Sequence, residues 1–479
     1  MVGRWLLAAL FLGAGVGAWG AEPCRVPGIR HELLCGQVQR ALDPARPDGV
    51  KIDVHYVVVP ALARRKLPDP IFLLAGGPGQ SATALAASVL PLFARLNNRR
   101  DIVFVDQRGT GRSAPLVCDD PQQQRLADQA DPERQLALLR ECRVQLQKLP
   151  YGDLRFFTTP IAMQDLDAVR RALGAERINL VGGSYGTRAG LDYLRQFPQA
   201  VRRMVLDGVA PPDMVLPASF STDGQAAFEA MLGGCERDAA CARAYPGLRA
   251  EWSAWFQHLP QSVSVQHPLT GEPESFVVTR DMAVAAVRGP LYSPVLAQAL
   301  PAAIHAAASG RVQALLTLGS GPWARKGTAL AMGMHFSVVC AEDVPRLAQS
   351  ADVPGADFGT EGARLYQRVC ADWPRGELPA AFYTLPTSPA PVLLLSGGID
   401  PATPPRHGAR VAQALGPKAR HVVVPQAGHG VMSLGCMPEV MQRFFDASDD
   451  AAALAVDARC VQSIPRPPVF RPVTLEAAP

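Results

Sequence analysis

The stretch Leu180-Val181-Gly182-Gly183-Ser184-Tyr185-Gly186-Thr187 sets a short apolar run directly against a serine fenced by glycines. Gly182-x-Ser184-x-Gly186 between a strand and a helix is the spacing of a sharp turn. Such a turn lifts a serine hydroxyl above the end of a sheet and aims backbone N–H groups at the same point. The flanking residues must be small because the chain reverses so tightly. Ile178 to Val181 carries the strand pattern, and Thr187 to Gln196 reads as a helix ended by Pro198. The competing reading is a tight turn with a solvated serine. The choice depends on whether the rest of the chain supplies a base, an acid and an oxyanion site.

Similar apolar runs, each closed by a turn, recur along the chain. Ile71 to Leu74 leads into Ala75-Gly76-Gly77-Pro78-Gly79, and Ile102 to Val105 into Asp106-Gln107-Arg108-Gly109-Thr110-Gly111-Arg112-Ser113. Met204 to Leu206 leads into Asp207-Gly208, Val392 to Leu395 into Ser396-Gly397-Gly398-Ile399-Asp400, and Val422 to Val424 into Gln426-Ala427-Gly428-His429. Short continuous apolar runs suit strands buried on both faces. Val50 to Pro60 reads as a pair of strands or one bent strand. Helical patterns lie between several runs. Thr159-Pro160 can open one, with Leu166, Val169 and Leu173 on one face and Gly174 at its end. Alternating strands and helices imply an α/β fold with a mostly parallel sheet, where function gathers at the carboxyl ends of strands.

Residues 212–384 break this pattern. They are rich in Ala and Leu at helical spacing and imply a mostly helical cap inserted over the strand ends. The Pro-rich stretch from Leu385 to Pro391 reads as the return hinge. The expected organisation is an export signal at 1–20, a first core part at 21–211, the cap at 212–384 and a second core part at 385–479.

The 479 residues, 48% hydrophobic, suffice for a large core. A net charge of +4 without a basic block points away from nucleic acid. Arg4, an apolar run from Trp5 to Val16, and small Ala18 and Gly20 before Ala21 have the form of a cleaved signal. A membrane anchor is the other reading, but the run is short and Glu22 and Pro23 follow at once. No other segment is long and apolar enough to span a bilayer, so no stable membrane insertion is expected after cleavage. The ten cysteines fall into five sequence-near couples, as in proteins of an oxidising compartment. Their connectivity cannot be deduced from sequence; the expectation is neighbour with neighbour, 24–35, 118–142, 235–241, 340–370 and 436–460. There is no C-x-x-C pair and no metal-ligand cluster, and neither metal nor cofactor is expected. Exported here means periplasmic or extracellular; the sequence does not separate the two.

A serine hydroxyl needs a base. His429, in Gly428-His429-Gly430 after the last strand, is placed as an exposed imidazole requires, although one of nine histidines in a loop means little alone. The base needs an acid to fix its tautomer, and Asp400 follows the preceding strand. A turn-capping aspartate beside proline is the competing reading of Asp400. The order Ser, Asp, His is that of the α/β hydrolases. One oxyanion donor should be the N–H of Tyr185; the other should be Gly77, with Gly76 as alternative.

Gly76-Gly77-Pro78-Gly79, then Asp106-Gln107-Arg108-Gly109-x-Gly111-Arg112-Ser113, then Gly182-Gly183-Ser184-Tyr185-Gly186 resembles the prolyl aminopeptidase family of α/β hydrolases. Gly186-Thr187-Arg188, Leu206-Asp207-Gly208-Val209, and Gly428-His429-Gly430 followed by Cys436 look more like its secreted tripeptidyl aminopeptidase branch. The motifs run from about residue 50 to 460. Ala75 departs from the histidine usual in the prolyl enzymes, which weakens an inference of proline specificity. The resemblance implies removal of amino acids or short peptides from substrates with a free N-terminus. It also implies acidic cap residues for the substrate ammonium, for which Glu342 and Asp343 are the candidates; an ordinary solvated acidic pair is the other reading. Asp106 and Arg108 are expected to brace the oxyanion loop. Three readings remain: an exopeptidase, an esterase or other acyl hydrolase with the same triad, and a binding protein on an inactive hydrolase fold.

Overall fold

The computed structural model describes residues 21–119, 124–320 and 330–471; the expected export signal lies outside the described residues. A sheet of nine strands runs through the molecule. In chain order its strands are β1 (Glu22–Cys24), β2 (Leu33–Ala41), β3 (Lys51–Val59), β4 (Ile71–Leu74), β5 (Ile102–Val105), β6 (Ile178–Gly183) and β7 (Val201–Asp207). A separate hairpin, β8 (Gln261–Gln266) with β9 (Pro273–Val278), precedes the last two, β10 (Val392–Gly397) and β11 (Ala419–Val424). The spatial order is β1-β2-β3-β5-β4-β6-β7-β10-β11. The six strands from β5 to β11 in that order pair in parallel, and β1, β2, β3 and β5 pair antiparallel.

The short apolar runs form the strands buried on both sides. Every residue of β4, β5 and β10 is buried. Parallel strands need helical crossovers, and these helices cover both faces. Phe72, Leu180, Met204 and Leu394 face helices Thr159–Ala172 and Tyr185–Gln196 on one side. Leu73, Val181, Val205 and Leu395 face helices Ala82–Val89 and Met437–Asp446 on the other. Residues 51–59 form a single strand. Its partner β2 has a mixed burial pattern and no apolar run to announce it. Gly36 of β2 is required because a Cβ there would run into the Tyr56 ring.

Between β7 and β10 the chain builds two unlike pieces. The first, residues 216–320, has an apolar core of its own, including Phe228, Trp252, Trp255, Leu300 and Leu315. It contains the β8–β9 hairpin as well as helices, which the Ala- and Leu-rich composition did not suggest. The second consists of helix Met332–Glu342 and helix Glu361–Asp372. Met334, Phe336, Val338 and Val369 pack into the core of the sheet domain. The five disulfides join the expected neighbouring couples: 24–35, 118–142, 235–241, 340–370 and 436–460. Cys340–Cys370 ties these two helices together. Among the described residues, no helix is long and apolar enough to cross a membrane, and no group of three or more His, Cys, Asp or Glu could hold a metal ion.

Candidate active site

Ser184 stands at the carboxyl end of β6 with φ 55° and ψ −124°, directly before helix Tyr185–Gln196. Among the described residues, only Ala114 is another non-glycine with positive φ. That strain is held by the turn's neighbours. A Cβ on Gly182 would meet the Gly186 carbonyl, and one on Gly186 would fall onto the Leu74 carbonyl. Ser184 N donates to the Asp207 carbonyl at 2.8 Å, and Thr187 Oγ1 donates to the Ser184 carbonyl at 2.6 Å. The chain can therefore pass only with glycines at both ends of the turn.

Asp400 and His429 follow β10 and β11, and strand pairing brings their loops together. Asp400 Oδ2 lies 2.8 Å from His429 Nδ1. Oδ1 accepts from Ala402 N at 2.8 Å and Thr403 N at 2.9 Å, and Oδ2 also accepts from Thr403 Oγ1 at 2.9 Å. Burial alone would raise the Asp400 pKa, but His429 and the N–H donors hold it below the ordinary carboxylate value. Burial would lower that of His429, but the Asp400 charge and hydrogen bond outweigh it and leave the imidazole above its usual 6.5. Asp400 is thus both the cap of its own turn and the partner of His429, so the two readings of that residue coexist. Among the described residues no hydrogen bond joins Ser184 Oγ to His429. Such contacts often tighten only with substrate bound.

The histidine loop is fixed from three sides. His429 N donates to the Tyr292 carbonyl at 2.9 Å, and the Tyr292 ring meets the imidazole edge-on with centroids 5.0 Å apart. The Asp207 carboxylate accepts from Val431 N at 2.8 Å and Met432 N at 2.9 Å. Burial pushes the Asp207 pKa up to about 6 despite those donors. A Cβ on Gly208 would crowd His429 at 3.0 Å. The Leu206-Asp207-Gly208 motif is therefore the seat of the histidine loop, a role not legible from its place at a strand end.

A cleft opens beside Ser184. Its lining includes Gly77, Tyr185, Arg188, Met214, Phe220, Tyr292 and Thr403. Gly77, at φ +111°, lines it with Tyr185; Gly76 does not and packs instead against Ser184 Cβ and the Gly183 carbonyl. The loop of residues 76–79, the candidate oxyanion loop, is held by the segment that opens helix Met332–Glu342. Ala331 N donates to the Gly79 carbonyl at 2.9 Å, and His335 Nδ1 lies 3.1 Å from the Pro78 carbonyl. Burial lowers the His335 pKa to about 4, so the ring is neutral at ordinary pH and its Nδ1–H can donate to Pro78. His335 Nε2 then accepts from the Tyr366 hydroxyl at 2.8 Å.

The expected braces divide. Asp106 accepts from Ser81 Oγ at 2.7 Å, Thr83 Oγ1 at 2.7 Å and Thr83 N at 3.1 Å, fixing the helix that leaves the oxyanion loop. Arg108 does not touch that loop. It pairs with Asp165 at 2.7 and 3.0 Å and donates to the Leu42 and Phe156 carbonyls, joining the end of β2 to helix Thr159–Ala172. Its five-donor fork reaches carbonyls its sequence position does not reveal.

Glu342 and Asp343 are fully buried, not a solvated pair. The cation they hold in this structure is Arg188, one helical turn beyond Ser184. Arg188 Nη1 and Nη2 meet Asp343 at 2.9 and 3.0 Å, and Nη1 lies 3.4 Å from Glu342. Arg188 lines the cleft, and the two acids lie behind it. Burial raises the Glu342 pKa to about 7, against the opposing pull of Arg188 and the Thr159 donors. Burial would lower the Arg188 pKa, but Asp343 and Glu342 raise it further and keep the side chain cationic. The i, i+4 spacing of Ser184 and Arg188 was visible in the sequence; the acids that neutralise Arg188 lie more than 150 residues away.

This geometry agrees with the sequence comparison, in which a model described as alpha/beta hydrolase fold matches residues 69–435. The chain belongs to that family. It is a serine hydrolase, and relatives it resembles carry peptidase and esterase names. It is 26% identical over 435 residues to serine protease Hip1 of Mycobacterium tuberculosis, covering 82% of each chain. It is 35% identical over 192 residues to tripeptidyl aminopeptidase of Streptomyces lividans, covering 38% of this chain and 36% of that one. It is 29% identical over 420 residues to carboxylesterase B of M. tuberculosis, covering 80% of this chain and 78% of that one. Among solved structures, proline iminopeptidase of Mycobacterium smegmatis is 17% identical with a TM-score of 0.39, covering 88% of this chain and 100% of that one.

Proposed function

We propose that this hydrolase is an exported serine exopeptidase that releases amino acids or short peptides from substrates with a free N-terminus. The observation that carries the reading is the convergence of three strand ends: Ser184 in its strained turn, and Asp400 2.8 Å from His429. In the proposed cycle Ser184 Oγ attacks the scissile carbonyl while His429 Nε2 takes its proton. The oxyanion forms against the Tyr185 and Gly77 N–H groups, at the dipole-positive end of helix Tyr185–Gln196. His429 then protonates the leaving amine, and water cleaves the acyl-enzyme. Asp400 keeps the Nδ1–H tautomer and stabilises the imidazolium.

The preference for a free amine rests on the family resemblance and the aminopeptidase relatives. Glu342 and Asp343 are fully buried behind Arg188 and do not line the cleft, so the ammonium does not reach the acids expected to hold it in this structure. Export is supported by the signal-like N-terminus and five disulfides. A second reading, an ester-directed acyl hydrolase, is favoured by the carboxylesterase relative and by a cleft wall that includes Met214, Leu216 and Phe220 but no carboxylate. The deciding experiment follows hydrolysis of aminoacyl, dipeptidyl and tripeptidyl anilides, free and N-acetylated, beside a short-chain aryl ester. Cleavage restricted to free amines is expected. Equal cleavage of blocked substrates, or activity on the ester alone, overturns the exopeptidase reading.

A further inference from the structure

A second guanidinium, that of Arg288, packs against two rings of the cleft wall, and its surroundings differ from those of Arg188. Arg288 lies near the end of helix Arg280–Leu291, in the region inserted between β7 and β10. Its guanidinium carbon stands 4.1 Å over the Phe220 ring and 5.6 Å from the Tyr292 ring, and both rings line the cleft beside Ser184. Nη2 donates to the Tyr292 hydroxyl at 3.0 Å. Tyr292 in turn touches His429 through its ring and its carbonyl. Arg288 is therefore fixed within one residue's reach of the candidate base.

No carboxylate of the described residues lies within ion-pair distance of Arg288, and its Nε–H is buried without an acceptor. By contrast Arg188, which lines the cleft itself, is met by two acids. A half-buried guanidinium without a counter-ion is costly unless something else completes it. Stacking on aromatic rings offsets part of that cost and holds the fork in one orientation. The remaining donors suit a planar acceptor with two oxygens, a carboxylate.

We infer that Arg288 is a specificity-determining residue that draws into the cleft substrates bearing a carboxylate close to the scissile bond. The carboxylate can come from an acidic side chain or from the C-terminus of a short peptide; both present the same two oxygens. The inference rests on the hydrolase reading above, though not on whether the scissile bond is an amide or an ester.

The test measures kcat/KM for matched substrates on the wild type and on Arg288→Gln, Arg288→Lys and Arg288→Glu. One pair of peptide anilides differs by Glu against Gln beside the scissile bond. A second pair of short peptides differs by a C-terminal carboxylate against an amide. A third pair is 4-nitrophenyl hemisuccinate against 4-nitrophenyl butyrate. The wild type should favour the anionic member of at least one pair roughly 10- to 100-fold, the range of a charge-assisted hydrogen bond. The preference should reside mainly in KM and weaken as salt screens the charge. Arg288→Gln should bring the ratio close to one, Arg288→Lys should keep part of it, and Arg288→Glu should reverse it toward a Lys-bearing anilide. Whichever of the first two pairs responds names the source of the carboxylate. Ratios near one in the wild type for all three pairs, or an unchanged ratio in folded Arg288→Gln, overturn the inference. Uncleaved peptides with a strong hemisuccinate preference would support it and overturn the exopeptidase reading alone. No turnover of any substrate would overturn both.

Discussion

Replacing Asp400 with asparagine changes a few atoms and should remove nearly all turnover. Asp400 Oδ1 accepts two buried backbone N–H groups, at 2.8 and 2.9 Å. Asparagine can satisfy both only by placing its carbonyl oxygen there. Its amide nitrogen then occupies the Oδ2 position, 2.8 Å from His429 Nδ1 and 2.9 Å from Thr403 Oγ1. An amide N–H can only donate. Nδ1 must therefore become an acceptor, and the ring proton moves to Nε2, the atom that has to be bare to take the proton of Ser184. The fixed negative charge that stabilises the imidazolium is lost as well. The expected fall in kcat is about 10³- to 10⁴-fold, or ~4–5.5 kcal/mol in the barrier. KM should stay within roughly threefold, because Asp400 is not among the residues lining the cleft. The assay is initial-rate hydrolysis of the best anilide or aryl ester, with a thermal melt showing that the variant is folded. A folded Asp400→Asn enzyme within tenfold of wild-type kcat would refute the assignment of Asp400 as the orienting acid.

Other consequences follow from the same geometry. Ser184→Ala should abolish turnover without changing the melting curve; retained wild-type activity would remove Ser184 from the mechanism. Because Asp400 raises the His429 pKa above 6.5 and the base must be neutral, the acid limb of kcat/KM should have its midpoint above pH 6.5, with activity rising on its alkaline side; Asp400→Asn should move any residual limb downward. Asp207→Ala leaves the Val431 and Met432 N–H groups without their acceptor, so urea denaturation should show a loss of about 2–4 kcal/mol, with kcat reduced through a loosened His429. Replacing both Cys340 and Cys370 with serine opens a cross-link across 30 residues and should cost about 3.5 kcal/mol in the same measurement, with lower activity because helix Met332–Glu342 also holds the oxyanion loop.

The sequence by itself determined the parts whose physics is local. Glycine is demanded at 182 and 186 because the neighbouring carbonyls leave no room for a Cβ, and that local requirement marks the elbow. Short apolar runs made β4, β5, β6, β7, β10 and β11 legible, and those buried on both faces, such as β4, β5 and β10, are continuously apolar or nearly so. Asp400 and His429 could be read because each follows such a strand, and neighbouring parallel strands bring their carboxyl ends together. Short cysteine separations kept the disulfide couples near one another. The tertiary structure decided what depends on contacts distant in sequence. β2 has mixed burial and is defined by its pairing with β3. The helix Met332–Glu342 looked like more of the inserted cap, yet its apolar residues belong to the core of the sheet domain. Glu342 and Asp343 read as acids open to a ligand, and only packing shows them buried against Arg188. Nothing in the sequence sets Arg288 apart; its place over Phe220 and beside Tyr292 exists only once the inserted region lies on the strand ends. Charge and hydrogen-bonding capacity are written in a residue's type, but the dielectric around it and the partner it meets are set by the fold.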